Sequence, residues 1–170
     1  MTMWGSRAAR EQAYVDYVSA RYAHLRRIAF AIAGNANRGE DLLQTALTKL
    51  YVAWPRVHRD GREDAYVRQI LVRADIDEHR RPWRRERPTP DLPEAVAPEP
   101  LAAEDRSALF DALQMLPPMQ RRAVLLRHWL GLSVRETAHE LGIGEGTVKS
   151  HTSRGLEALR SVLAEDHSAP

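Results

Sequence analysis

Five short or basic residues near the C-terminus, Thr147, Lys149, Ser150, Ser153 and Arg154, fall on successive turns of one helical register. Lysine and arginine there can reach base edges or phosphates, and Thr147 and Ser150, close to free N-terminal amides, suit a phosphate oxygen. The same pattern also fits an ordinary helical hairpin with a solvated polar face. A second cluster, Arg80, Arg81, Arg84, Arg85 and Arg87 around Trp83, could track a phosphate backbone and stack on an unpaired base, or could be a solvated helix end. Catalytic chemistry finds less material. The seven His are scattered, with no His pair bracketing a Glu at helical spacing, and the chain has no Cys, which argues against a metal site. Gly142, Gly144 and Gly146 resemble a phosphate-cradling loop only superficially, because no strand precedes them, and no Gly-x-Ser-x-Gly elbow occurs.

The elements that would position the first cluster are legible around it. Ser133 and Glu136 form a capping box that opens a short helix ending at Leu141. Gly142, Ile143 and Gly144 then turn into a helix from about Glu145 to Leu163 that buries Val148, Leu156, Leu159 and Val162. This is a helix-turn-helix pattern, with Gly144 as a tolerable cap. Upstream, Leu109, Ala112, Leu113 and Leu116 predict a helix stopped by Pro117 and Pro118. Ala123, Val124, Leu126 and Leu130 predict another, closed by Gly131.

Three helices are expected before that. Tyr14, Val18, Tyr22, Leu25, Ala29 and Ile32 recur at helical spacing up to Gly34. A second helix, preceded by Asn37, runs to Trp54, where Pro55 should stop it. Its apolar stripe, from Leu42 through Leu43, Leu47 and Leu50 to Trp54, is wide enough either to face another protein or to lie between two helices. A third begins near Asp64 and sets Val67, Ile70, Leu71 and Ala74 inward before turning basic. No segment alternates long enough to be a strand, so the fold class is all-α: an N-terminal helical bundle and a C-terminal helix-turn-helix. Five prolines interleaved with acids between Pro88 and Pro100 read as the linker between them. Such a tether permits the halves to pack together, an arrangement expected to hide both DNA-facing surfaces, without requiring it.

Charge follows the same division. Residues 1–87 carry 17 Lys/Arg against 11 Asp/Glu, residues 88–104 carry four acids and no cation, and the remainder is balanced. The first half is thus the one suited to an anion, and the acidic linker suits a path that nucleic acid would otherwise occupy. The longest apolar run, Ile28 to Ala33, is far short of the ~20 residues that span a bilayer. With no apolar leader region behind Arg7 and Arg10 and no Cys, the expected setting is a reducing cytoplasm without membrane association.

Four motifs in order carry a resemblance: Glu40 to Leu47 (EDLLQTAL), Ala65 to Val72 (AYVRQILV), Leu116 to Arg121 (LPPMQR) and Gly146 to Ser150 (GTVKS). Together they resemble an extracytoplasmic-function sigma factor of the sigma-70 family, most like its small actinobacterial group, over about Tyr14 to Arg160. The resemblance implies a subunit without catalytic activity, cofactor or metal. It would bind core RNA polymerase, at the largest-subunit clamp and the flap, and promoter DNA, with an anti-sigma protein as a further class of partner. It divides the chain into a region 2-like domain (8–87), the linker (88–104) and a region 4-like domain (105–165). By that likeness Asp41, Leu43, Gln44, Thr45 and Leu47 meet the polymerase. The loop from Pro55 to Asp64 captures an unstacked −10 base, with Arg56, His58, Arg59, Arg68, Arg80, Arg81 and Arg84 on −10 DNA. Thr147, Lys149, Ser150, Ser153 and Arg154 read the −35 duplex. The chain departs from the family at Arg73, where Asn is common, and in the acids Asp75, Asp77 and Glu78. Two other readings of the residues are a helix-turn-helix regulator that binds DNA without polymerase, and a helical interaction module that sequesters a partner.

Overall fold

A computed structural model of the chain describes residues 6–80 and 108–166, which form seven α-helices and, among those residues, no strand. The first, α1 (Arg7–Ala33), is opened by Ser6, whose hydroxyl accepts the Ala9 N–H. It is closed by Gly34 at φ 85°, a left-handed position that glycine occupies without strain. The next residue, Asn35, caps α2 (Ala36–Arg59) by accepting the Arg38 N–H at 2.9 Å. The cap is thus Asn35 rather than Asn37, because the α1–α2 connection is only two residues long.

Pro55 does not end α2; the helix runs through it to Arg59. A proline there removes the bond to the Tyr51 carbonyl, but Tyr51 lies on an exposed face where water can replace it, and Trp54 and Val57 anchor the extra turn in the core. The expected Pro55–Asp64 loop therefore shrinks to Asp60–Arg62 before α3 (Glu63–His79).

Aromatic side chains and one carboxylate hold the three helices together. Trp54 is buried, with Tyr14 edge-on at 5.4 Å and Tyr17 tilted at the same distance. The Tyr14 hydroxyl donates to the Leu47 carbonyl, while Tyr17 and Arg21 both bond Asp64 at the start of α3. At the other end Gly39 lets α2 approach α1 closely: a Cβ there would lie 2.9 Å from the Phe30 Cα.

In the second half, α4 (Ala108–Gln114) leads to α5 (Pro118–Val124), which Pro118 enters at the first turn, where its missing N–H costs nothing. α5 continues as a π-helical turn, Leu125–Trp129, before Gly131 at φ 70°. The extra residue in that turn lets Leu125 and Leu126 both face inward. Then come α6 (Val134–Leu141), Gly142 at φ 66°, and α7 (Glu145–Asp166).

Both halves of the capping box form: Ser133 N–H donates to Glu136 at 2.7 Å and Glu136 N–H to the Ser133 hydroxyl at 3.1 Å. The backbone and hydroxyl of Ser133 hold the Glu136 carboxyl below the usual carboxylate range. A depressed folded pKa means the stabilisation is present at neutral pH and lost as pH falls through the folded value. Ser133→Ala should therefore cost about 1 kcal/mol at pH 7. The gap from the parent should narrow in acid, as read by thermal melts at pH 7 and pH 3.

α7 lies directly against α5. A Cβ on Gly155 would meet Val124 Cγ2 at 2.7 Å and the Gln120 carbonyl at 3.3 Å. Gly155→Ala is expected to destabilise by about 1–3 kcal/mol through overpacking, measurable by urea denaturation, whereas an exposed helical glycine would gain from the same change.

The two halves share one apolar core. Every residue from Ile28 to Ala33 is buried, so the end of α1 is covered on all sides: by α2 and α3 of its own half, and by α4 and α5 of the other. No helix among the described residues is long and apolar enough to cross a membrane.

Candidate nucleic-acid interface

The start of α7 is held from beneath and open above. Val148 is fully buried, Thr152 returns its hydroxyl to the Val148 carbonyl at 2.7 Å, and Leu159 continues the inner stripe. That register leaves Thr147, Lys149, Ser150, Ser153 and Arg154 all exposed on the outer face, as expected. Ser150 donates to the Gly146 carbonyl at 3.1 Å, leaving its oxygen free to accept. Val148 N–H bonds the Gly144 carbonyl, so Gly144 occupies the cap position without a hydroxyl of its own. The packed halves leave this face uncovered, contrary to the expectation that both DNA surfaces would be hidden.

Residues expected on the −10 side are more dispersed. Arg56, His58 and Arg59 are exposed on the last turns of α2 rather than in a loop. His58 stacks on Trp54 with ring centroids 4.5 Å apart, and its Nδ1 lies 2.6 Å from Glu63. Lys49, Val52, Pro55, Arg56 and Tyr66 line an open groove of about 520 Å³ between α2 and α3. Arg68 points instead to the other half, 3.7 Å from Glu140 on α6. Arg80 is exposed at the end of α3. Arg81, Arg84, Trp83 and the linker 88–104 lie outside the described residues.

On α2, Asp41, Gln44 and Thr45 are exposed on one face. Partial burial, then the nearby Glu78 and Glu40, raise the Asp41 carboxyl above its ordinary value. Leu43 and Leu47 need correcting as contact residues: they are 0% and 9% exposed and belong to the core, so they set the pitch of the helix rather than touch a partner. The apolar surface that α2 does expose is farther along, at Tyr51 and Val52.

The sequence reading missed a polar cluster where the halves meet. Asp75, with no exposed surface, accepts from Arg38 at 2.8 Å and from Arg122 Nε at 2.7 Å. The His79 ring lies beside both guanidiniums, 3.0 Å from Arg38 and 3.1 Å from Arg122. Next to it, Arg121 donates through Nε and Nη2 to the Ile32 carbonyl and through Nη1 to the Leu116 carbonyl. Burial pulls the Arg121 guanidinium below its usual range, with Asp75 opposing the shift. A signal was present: Asp75 follows Val67 and Leu71 at four-residue intervals, which puts it on the inner stripe of α3.

Comparison with known proteins identifies the family. A Sigma-70 region 2 family model matches residues 17–85 and a Sigma-70 region 4 model matches 106–159. The chain is 37% identical to the RNA polymerase sigma-E factor of Streptomyces coelicolor, over 88% of this chain and 85% of that one. It is 31% identical to the ECF RNA polymerase sigma factor SigM of Mycobacterium tuberculosis, over 84% and 72% respectively. Its fold is similar to the sigma factor RpoE of Bartonella quintana, solved in complex with the anti-sigma factor NepR, with a TM-score of 0.63 at 23% identity over 90% of this chain and 98% of that one. Two family models in that order along one chain decide between polymerase subunit and stand-alone regulator. The chain belongs to the extracytoplasmic-function branch of the sigma-70 family and is an RNA polymerase sigma factor, a non-enzymatic transcription initiation factor.

Proposed function

We propose that the outer face of α7 reads the −35 element as duplex while the exposed face of α2 docks on core polymerase and the α2–α3 groove receives an unstacked −10 base. The observation that supports this best is the coincidence of all five polar recognition residues on the open face of α7, above a buried Val148. Lys149 and Arg154 can donate to base edges in the major groove, with Thr147, Ser150 and Ser153 fixing register on phosphates. Asp41, Gln44 and Thr45, continued by the exposed Val52, offer polymerase one polar-to-apolar strip along a single helix face. The groove bordered by Lys49 and Arg56 is large enough for a nucleobase, with cations at its rim to hold the flanking phosphates. The region 2-like (8–87), linker (88–104) and region 4-like (105–165) boundaries belong to the same proposal, as does a cytoplasmic site of action.

Multi-round run-off transcription with core polymerase on a library of promoter-bearing genomic fragments tests it. Discrete products that require this chain, and that disappear when the −35 segment is scrambled, are expected. Core polymerase that gives no chain-dependent product on any fragment would overturn the reading.

A further inference from the structure

We propose that His151, which is not among the five exposed residues of the reading face, is a further specificity-determining residue of α7. Its Nε2–H donates to the N7 of one purine in the duplex, so it selects purine over pyrimidine at that position. The inference rests on the reading of the −35 element by α7 proposed above, and adds to it a donor that packing holds in a fixed place.

The helical register puts the ring at the edge of the reading face. Thr147, His151 and Arg154 follow one another at intervals of four and three, so they form one stripe along α7. His151 also stands three residues after Val148 and four before Gly155, both of which are buried. It is therefore partly buried where Thr147 and Arg154 are exposed. A helical side chain leans back over the turn that precedes it, which carries the imidazole toward Thr147. That is the end of the second helix that a helix-turn-helix sets in the major groove.

The two ring nitrogens are not equivalent. Nδ1 is buried and has no hydrogen-bond partner among the described residues, which leaves Nε2 as the nitrogen that the partly exposed ring turns outward. A buried N–H is left without a partner less readily than a buried acceptor, so a neutral ring keeps its hydrogen on Nε2, and a protonated ring carries one there as well. The ring thus offers the groove one donor and no acceptor. Such a group is refused by the amino hydrogens of cytosine N4 and adenine N6 and accepted by N7, the acceptor that both purines share. Thymine O4 lies beside the 5-methyl group, which crowds a ring approaching edge-on. Lys149 and Arg154 are exposed and lose rotamer freedom when they bind, whereas packing has already ordered the His151 ring. A donor held in this way suits discrimination between bases more than general attraction to phosphate.

The test titrates the full chain against a labelled −35 duplex taken from the run-off products, with 7-deazaguanine or 7-deazaadenine replacing one purine at a time. The replacement removes N7 and leaves base pairing intact. At one purine the parent should lose about three- to tenfold in affinity, and His151→Ala should show the same loss on the unmodified duplex but none further on replacement. His151→Gln, whose amide nitrogen falls near the place of Nε2, should keep the sensitivity at that purine. His151→Asn, whose amide lies at the level of the buried Nδ1, should not. The comparison of Gln with Asn decides the matter if His151→Ala loses helicity by circular dichroism. The assignment is overturned if no purine shows an effect that depends on residue 151. It is equally overturned if His151→Ala weakens all sequences alike and reduces the salt slope, the mark of a phosphate contact. Unchanged binding by the Lys149→Ala/Arg154→Ala double variant would instead overturn the reading by α7 on which the inference rests.

Discussion

Asp75→Ala lowers the unfolding free energy by about 3–5 kcal/mol, the largest effect expected of any single substitution here. The size follows from what the change leaves behind. Asp75 has no exposed surface and Arg122 almost none, so removing the carboxylate strands a buried guanidinium that water cannot reach. Arg38 loses its strongest partner at the same time, although it retains the Ala33 carbonyl and a looser contact with Glu78. Asp75→Asn keeps an acceptor oxygen and should cost less. Asp77→Ala, two residues on and exposed, should stay within about 0.5 kcal/mol of the parent. Urea midpoints of the three variants check the order. If Asp75→Ala and Asp77→Ala were equal, the buried cluster would have no energetic role.

On DNA, Lys149→Ala and Arg154→Ala should each weaken −35 binding by about 1–3 kcal/mol, roughly 5- to 150-fold. The two can be told apart by how they lose affinity. A side chain on a base edge relaxes sequence preference at one position, whereas one on phosphate weakens all sequences alike and reduces the salt slope by about one. Arg160, also exposed but further along α7, is the control and should change affinity little. Titrating the chain against a labelled −35 duplex and a scrambled duplex at several salt concentrations reads both quantities. Unchanged binding by the Lys149→Ala/Arg154→Ala double variant would remove α7 as the reading element.

Much of the architecture was readable because local rules and tertiary demand agree. The Ser133–Glu136 box, Gly34, Gly131 and Gly142 each end or begin a helix through chemistry confined to a few residues. The five α7 residues could be named because Val148 fixes the register of everything after it. Misreadings came where tertiary packing outweighed a local signal. Pro55 would break an isolated helix, but Trp54 and Val57 on its flanks are pinned in the core and carry α2 through it. Leu43 and Leu47 belong to a stripe wide enough for an external partner, and only the presence of α1 and α3 shows that the stripe is already covered. Arg121 and Arg122 were passed over for a different reason. Arginine is ordinarily a surface residue, and nothing local reveals that an acid more than forty positions away lies buried opposite one of them.

The donation of Arg121 to the Ile32 carbonyl at the end of α1 bears on how such chains can be recombined. A hybrid that takes residues 108–166 from a relative with neutral side chains at these two positions would strip the Ile32 carbonyl of its guanidinium donor and leave Asp75 with only Arg38 and His79 of its own half. The halves of this molecule are therefore not freely interchangeable parts. Grafting a new promoter preference is safer through the outer surface of α7 alone, with the inward-facing arginines of α5 kept in place.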